Sequence, residues 1–389
     1  MPKLKNSKLR ILVLGYIVRG PIGGMAWHHL QYVLGLSKLG HDVVFLEDSD
    51  DYPGCYNPPT GEVNTDPRYG LRFIEDCFKK LNLDGLWAYY DAHTNQWFGK
   101  TRAEMFDFFV STDILLNLSG VNPLREWLLQ IPKRTFIDTD PAFTQIRHLT
   151  DENAGKLAAK HNYFFTFGEN FGAEDCSIPK DGFDWQPTRQ PIVLDSWKIT
   201  EGKKDAKWTT VMQWDSYRTL QYDGQTFGMK STSFNEYVDL PKMTEDTFEL
   251  AIGSADAPRE FLKSKGWKIV DPLVPTRTPW TYQKYIKNSK AEWTIAKHGY
   301  SSSRSGWFSE RSAGYLASGR PVLTEETGFS QFVESGAGLL SFSSKEEVLA
   351  GIEKINSDYL RHCKAAREVA ADFFSYKKVF SKLFDSILN

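Results

Sequence analysis

Ser305-Gly-Trp-Phe-Ser-Glu310-Arg311-Ser-Ala-Gly314-Tyr-Leu-Ala-Ser-Gly319-Arg320-Pro321-Val322-Leu323-Thr324-Glu325-Glu326-Thr327-Gly328 decides how this chain is read. The run predicts a helix with a carboxylate near its start and small residues at Ala313, Gly314, Ala317 and Ser318. Gly319 stops the helix, because glycine enters the left-handed conformation that ends one at little steric cost. A short apolar strand starts at Pro321, and a second helix is expected after Gly328. A small-residue helix feeding a strand packs closely on a parallel sheet. It aims its first turn at the sheet's carboxyl edge, where α/β proteins hold nucleotides. A glutamate there is placed to accept hydrogen bonds from the hydroxyls of a ribose. It also suits the positive end of a helix dipole with no ligand at all.

Upstream, Ala291-Glu-Trp-Thr-Ile-Ala296 reads as a strand ending in Lys297-His298-Gly299. Residues 209–213, 247–252 and 267–270 read as earlier strands of the same sheet, and 338–340 as its last. Helices are predicted over about 344–355, 357–373 and 376–387. The other half repeats this alternation. Arg10-Ile-Leu-Val-Leu-Gly15 is a strand, a glycine-rich turn follows, a helix over 25–39 stops at Gly40, and 41–47 is the second strand. Strands at 86–90, 113–118, 134–138 and 163–167 alternate with helices at 68–81, 101–110, from 123, from Asp140-Pro141, and at 151–160. Residues 50–67 read as a long surface loop. The first glycine-rich turn has no GxGxxG, so the dinucleotide fingerprint is absent.

Apolar periodicity fades between Gly168 and Lys207, which puts the connection between halves near 185–205. The expected fold class is therefore α/β: two Rossmann-like parallel-sheet domains facing across a cleft, with a C-terminal helical tail. The boundaries are set at 1–190 and 191–375, with 376–389 as a helix packing back toward the first domain.

A chain of 389 residues is long for one domain and comfortable for two. Its net charge of −2 argues against a strongly electrostatic nucleic-acid binder, so no nucleic-acid partner is expected. The four cysteines are scattered with no CxxC pair, which speaks for reduced thiols and against a metal or redox motif. The basic start is followed only by a strand-length apolar run, so no signal peptide is expected. Nor does any apolar run reach the roughly 20 residues of a membrane helix. The expected location is cytoplasmic, with peripheral contact at the inner membrane face left open. Aromatic residues make up 14%, including 12 Trp, enough to pack cores and also to line a pocket for a flat or sugar-like ligand.

Two motifs in order carry a family resemblance. Gly23-Gly24, His28 and Leu39-Gly40-His41-Asp-Val43 stand in the first half. Glu310, Ala313, Gly319-Arg-Pro-Val322 and Gly328 stand in the second. Together they resemble GT-B-fold glycosyltransferases of the group-1 class, the bacterial polysaccharide-type enzymes that use nucleotide sugars. The resemblance implies a hexosyltransferase-like activity with a nucleotide-sugar donor, UDP-sugar first, as co-substrate. It implies neither a cofactor nor a metal. The acceptor would be a glycan, lipid-linked or small-molecule hydroxyl held by the first domain.

On that resemblance the nucleotide-sugar set is Gly23, Gly24, Lys230, Lys297, His298, Ser302, Ser303, Arg304, Glu310 and Arg311. Candidates for chemistry toward the acceptor are His28, Asp138 and Asp140, an imidazole being suited to base work at neutral pH. Asp140 before Pro141 also fits a plain helix cap. The pattern departs from the family at one point. Eight residues before Glu310 stands Ser302 in place of a Glu, so retention or inversion does not carry over. A non-catalytic sugar or nucleotide binder, and an epimerase on the same scaffold, fit the same pattern.

Overall fold

The computed structural model describes residues 8–388, built on one mostly parallel and one wholly parallel sheet. The first contains β1 (Arg10–Leu14), β2 (Asp42–Asp48), β3 (Trp87–Asp91), β4 (Gln96–Gly99), β5 (Ile114–Leu118), β6 (Lys133–Asp138), β7 (Tyr163–Thr166) and β8 (Trp185–Pro187). Their order is β8-β7-β6-β5-β1-β2-β3-β4, with β4 antiparallel at the edge. The second contains β9 (Trp208–Gln213), β10 (Phe248–Gly253), β11 (Lys268–Val270), β12 (Ala291–Thr294), β13 (Val322–Glu325) and β14 (Leu339–Phe342). It runs β11-β10-β9-β12-β13-β14 and is wholly parallel. Continuous apolar runs such as Ile11–Leu14 and Ile114–Leu116 form the central strands because helices cover both sheet faces. In each sheet the chain switches direction, between β1 and β5 and between β9 and β12. A crevice opens at the strands' carboxyl ends at such points.

Six helices frame that crevice or join the halves: α1 (Gly23–Lys38), α2 (Phe143–Thr150), α3 (Lys230–Phe234), α4 (Pro279–Asn288), α5 (Glu310–Ala317) and α6 (Tyr376–Leu388). The small residues of α5 have a packing reason: a Cβ on Gly314 would stand 3.0 Å from the Trp197 ring. Trp197 belongs to the segment that crosses between the sheets after β8, and it also meets Trp27 of α1, centroids 5.4 Å apart. The chain crosses back beside that segment. Ile192 N–H donates to the Phe374 carbonyl at 2.7 Å, and Tyr376 N–H to the Ile192 carbonyl at 3.0 Å. Helix α6 then lies on α1, with Phe380 edge-on to Tyr32 at 5.7 Å.

Some local expectations give way. The helix expected from 123 is a single 3-10 turn, Glu126–Leu128, and the one after Gly328 is another, Phe329–Gln331. The 50–67 loop carries a small hairpin, Cys55–Asn57 with Glu62–Asn64. A second hairpin, Leu220–Tyr222 with Gln225–Phe227, follows β9. Strands of three residues are too short for an alternation pattern to reveal them. No described helix is long and apolar enough to cross a membrane.

Candidate active site

A cleft of about 860 Å³ lies between the carboxyl ends of the two sheets. Tyr16, Gly24, His28, Tyr56, Ser119 and Asp140 line it from the first domain; Gln213, Lys230, Gly253, Lys297, Glu310 and Arg311 line it from the second.

Ser309 caps α5, its hydroxyl accepting from Arg311 N–H at 3.2 Å, and so fixes the first turn at the cleft. Glu310, the first residue of that turn, is half-buried and lines the cleft. Its carboxylate makes no hydrogen bond or ion pair with any described residue, so its acceptor capacity is open. Lys230 opens α3 and is 8% exposed, again with no hydrogen-bond or ion-pair partner among the described residues. Burial, with the positive charges of Arg311 and Lys297, pushes its ammonium down to about 7, while Glu310 pulls the other way. A buried cation without an acceptor is costly unless an anion arrives to satisfy it.

His28 shows the complementary pattern on the facing wall. Its Nδ1 lies 2.6 Å from the Gln190 side-chain oxygen. The Gln190 amide nitrogen donates to the His28 and Pro191 carbonyls at 3.2 and 3.1 Å, which fixes the amide's orientation. Nδ1 must therefore carry the proton, leaving Nε2 with its lone pair. That Nε2 is buried, has no partner among the described residues, and belongs to a side chain lining the cleft. Burial lowers the imidazole's pKa, against smaller raising effects from Glu310 and Gln190, so the neutral ring is favoured.

Asp140 reaches across the cleft. Its carboxylate accepts from Lys297 Nζ at 2.8 Å and from the hydroxyls of Tyr300 and Tyr217, all three from the second domain. Lys297 Nζ also donates to the Tyr217 hydroxyl at 2.7 Å and lies over the rings of Phe143, Tyr217 and Tyr300. Asp140 is thus an interdomain clasp with its oxygens engaged, and Pro141 follows it outside the helix, since α2 starts only at Phe143.

Several expected site residues take other roles. Asp138 is fully buried and does not line the cleft; it accepts from Asp140 N–H, Thr144, Gln145 and Thr166. With each oxygen accepting two hydrogen bonds it organises the start of α2 and has no lone pair directed at a substrate. A Cβ on Gly23 would collide with the Thr278 carbonyl, so Gly23 serves close approach of α1 to α4. Trp27 Nε1 donates to the Pro279 carbonyl at 2.9 Å in the same contact. Gly24 does face the cleft.

Ser302 is exposed and lies off the cleft, and Ser303 turns its hydroxyl to the Gly299 carbonyl at 2.6 Å. Arg304, at φ +48°, swings out to Asp175 at 2.9 Å. His298 Nδ1 accepts from Gly228 N–H at 3.3 Å, and its ring is not among the cleft residues. Arg311 does line the cleft, but its Nε bonds Glu292 and its Nη2 bonds Thr294 at 2.8 Å, which anchors it to β12.

Other contributors lie outside the two sequence motifs. Gln190, Tyr217 and Tyr300 act through partners far along the chain. Glu47, fully buried at the end of β2, accepts from the backbone N–H groups of Ile17, Val18 and Arg19 at 2.6–2.7 Å and shapes the loop that carries Tyr16. An acid closing an otherwise apolar strand was the available hint.

No family model matches the sequence, and no curated protein is similar to it. Solved structures are similar over the whole length. An α-glucosyltransferase in complex with UDP and DNA is 11% identical, with 98% of this chain and 100% of that one covered and a TM-score of 0.60. The sucrose-phosphate synthase of Thermosynechococcus elongatus is 12% identical, with 97% and 99% covered and a TM-score of 0.56. Anabaena HepE in complex with UDP and glucose is 10% identical, with 98% and 99% covered and a TM-score of 0.55. The chain has the GT-B fold: two Rossmann-like domains facing each other across the cleft.

Proposed function

We propose that the protein is a glycosyltransferase that holds a nucleoside-diphosphate sugar, UDP-sugar foremost, on its second domain and moves a hexose to an acceptor hydroxyl held by the first. The observation that carries this is a pair at the cleft with no partner among the described residues: a carboxylate without a donor at Glu310 and a buried ammonium without an acceptor at Lys230. Ribose hydroxyls answer the first and a diphosphate answers the second. Two proteins of the same fold are described as UDP complexes, which supports UDP as the first nucleotide to try.

In this account the acceptor oxygen bonds to the anomeric carbon as the bond from that carbon to the diphosphate oxygen breaks. Lys230 stabilises the charge gathering on the leaving diphosphate, an electrostatic effect that is large in a water-poor site. The acceptor's proton needs a base, and the free Nε2 of His28 is the candidate within the cleft. The clasp through Asp140 and Lys297 keeps the two walls together and water out. Counter-charge to the diphosphate comes from side chains, so the account needs no divalent metal.

The test is calorimetric titration with UDP followed by hydrolysis of UDP-glucose and related UDP-sugars, with and without a chelator. UDP binding together with chelator-insensitive turnover of a UDP-sugar is expected. Failure of every nucleoside diphosphate to bind would overturn the proposal.

A further inference from the structure

The cleft's charges are segregated by domain. Every lysine and arginine lining it, Lys230, Arg259, Lys297 and Arg311, comes from the second domain. Among the described residues the one formally charged side chain on the first-domain wall is Asp140, and it is already engaged by Lys297 and two tyrosines. Two first-domain guanidinium groups outside the lining are committed elsewhere. Arg19 donates to Glu47, Tyr52 and the Val121 carbonyl, and Arg125 to Asp48 and Asp51.

What the wall does offer is neutral. Tyr16 and Tyr56 line the cleft half-buried, and their hydroxyls have no hydrogen-bond partner among the described residues. Ser119 and Thr139 line it too, sharing one hydrogen bond of 2.7 Å that leaves each hydroxyl further capacity. Beside them stands the buried, unpartnered Nε2 of His28. Asp271 lines the cleft from the second domain and acts on Tyr56 electrostatically, which adds negative charge at that end.

We propose, resting on the glycosyltransferase reading above, that the first-domain half of the cleft takes a neutral, hydroxyl-rich acceptor such as an unmodified sugar and rejects phosphorylated or carboxylated ones. Tyrosine rings offer apolar faces to the C–H side of a sugar ring, while the free hydroxyls and Nε2 pair with its alcohols. A phosphate or carboxylate seated there would lose water and meet no uncommitted cation, since the nearby Lys297 ammonium is already held by Asp140 and Tyr217, and Asp140 and Asp271 would repel it.

The experiment uses the full protein saturated with UDP. Saturation-transfer NMR is run with methyl glucoside, methyl galactoside and maltose, and with glucose 6-phosphate, galactose 6-phosphate and glucuronate. At least one neutral sugar is expected to show contact, weakened in Tyr56→Ala, with the anionic counterparts at least about tenfold weaker. An anionic sugar binding as well as its neutral counterpart overturns the proposal. So does an absence of contact from every neutral sugar while UDP is bound. Failure of UDP to bind, read first in the same sample, is the separate failure of the nucleotide-sugar reading.

Discussion

Replacing Lys230 with methionine removes the charged Nζ while keeping an unbranched apolar stem of the same four atoms' reach. In the unoccupied protein that charge is a liability, because the ammonium is buried, has no acceptor, and sits near Arg311 and Lys297. A lysine pKa moved from 10.5 to about 7 corresponds to about 5 kcal/mol between its two protonation states. The sign follows from proton counting. Between pH 7 and 10.5 the unfolded chain keeps this proton and the folded one has released it, so stability rises with pH across that window. The penalty is full below pH 7 and fades toward pH 10.5. Lys230→Met is therefore expected to be more stable than wild type at pH 6, by up to about 5 kcal/mol, with the gain shrinking as pH rises. The same variant should bind UDP about 10–100-fold more weakly, the worth of one hydrogen bond to a charged group. Wild-type UDP binding above pH 7 should take up a proton, which calorimetry in two buffers of different ionisation enthalpy measures; the variant should lack that uptake. Urea unfolding across pH supplies the stability arm. A variant that loses stability at pH 6 while binding UDP unchanged would refute the assignment of Lys230 as a diphosphate counter-ion.

Three further outcomes are expected. Gln190→Ala should free the His28 ring to exchange tautomers, seen as loss of the single unprotonated Nε2 signal in nitrogen-15 NMR; a signal that stays as in wild type contradicts the role given to Gln190. Gly23→Ala should drive a methyl group into the Thr278 carbonyl and cost about 1–3 kcal/mol in urea unfolding; an unchanged urea midpoint would contradict the close packing of α1 on the start of α4. Asp140→Asn should loosen the clasp to Lys297 and the two tyrosines, raising protease sensitivity of the 188–207 crossing without shifting the far-ultraviolet dichroism; unchanged cleavage would show that other contacts hold the domains together.

The two-sheet architecture was legible because buried parallel strands announce themselves as continuous apolar runs, as at Ile11–Leu14 and Ile114–Leu116. Glu310 was legible because Gly319 and Pro321 mark where its helix ends and the next strand begins, and counting back places the carboxylate in the first turn. His28 and Gly24 followed from the first glycine-rich turn. The cross-domain pairs were not legible. Asp140 and Lys297 lie 157 positions apart, and His28 and Gln190 lie 162 apart, so their contacts depend on how two sheet edges face one another. The run Ser302-Ser303-Arg304 offered hydroxyls and a cation at the right distance from Glu310 in sequence. A short helix over His298–Ser302 folds the Ser303 hydroxyl back on its own backbone, and the left-handed turn at Arg304 points that side chain away. Asp138 was misread for a related reason. A strand-terminal carboxylate can face the crevice or cap the following loop, and the hydroxyls of Thr144 and Thr166 decide for the second.

The most direct test of the account compares UDP with its 2′,3′-dideoxy analogue, by calorimetry, on wild-type protein and on Glu310→Ala. Hydrogen bonds to a carboxylate contribute about 1.5–3 kcal/mol each, so wild type is predicted to prefer UDP by at least about tenfold. Glu310→Ala is predicted to bind the two nucleotides alike. A preference for UDP that survives intact in Glu310→Ala would contradict the claim that this carboxylate holds the ribose.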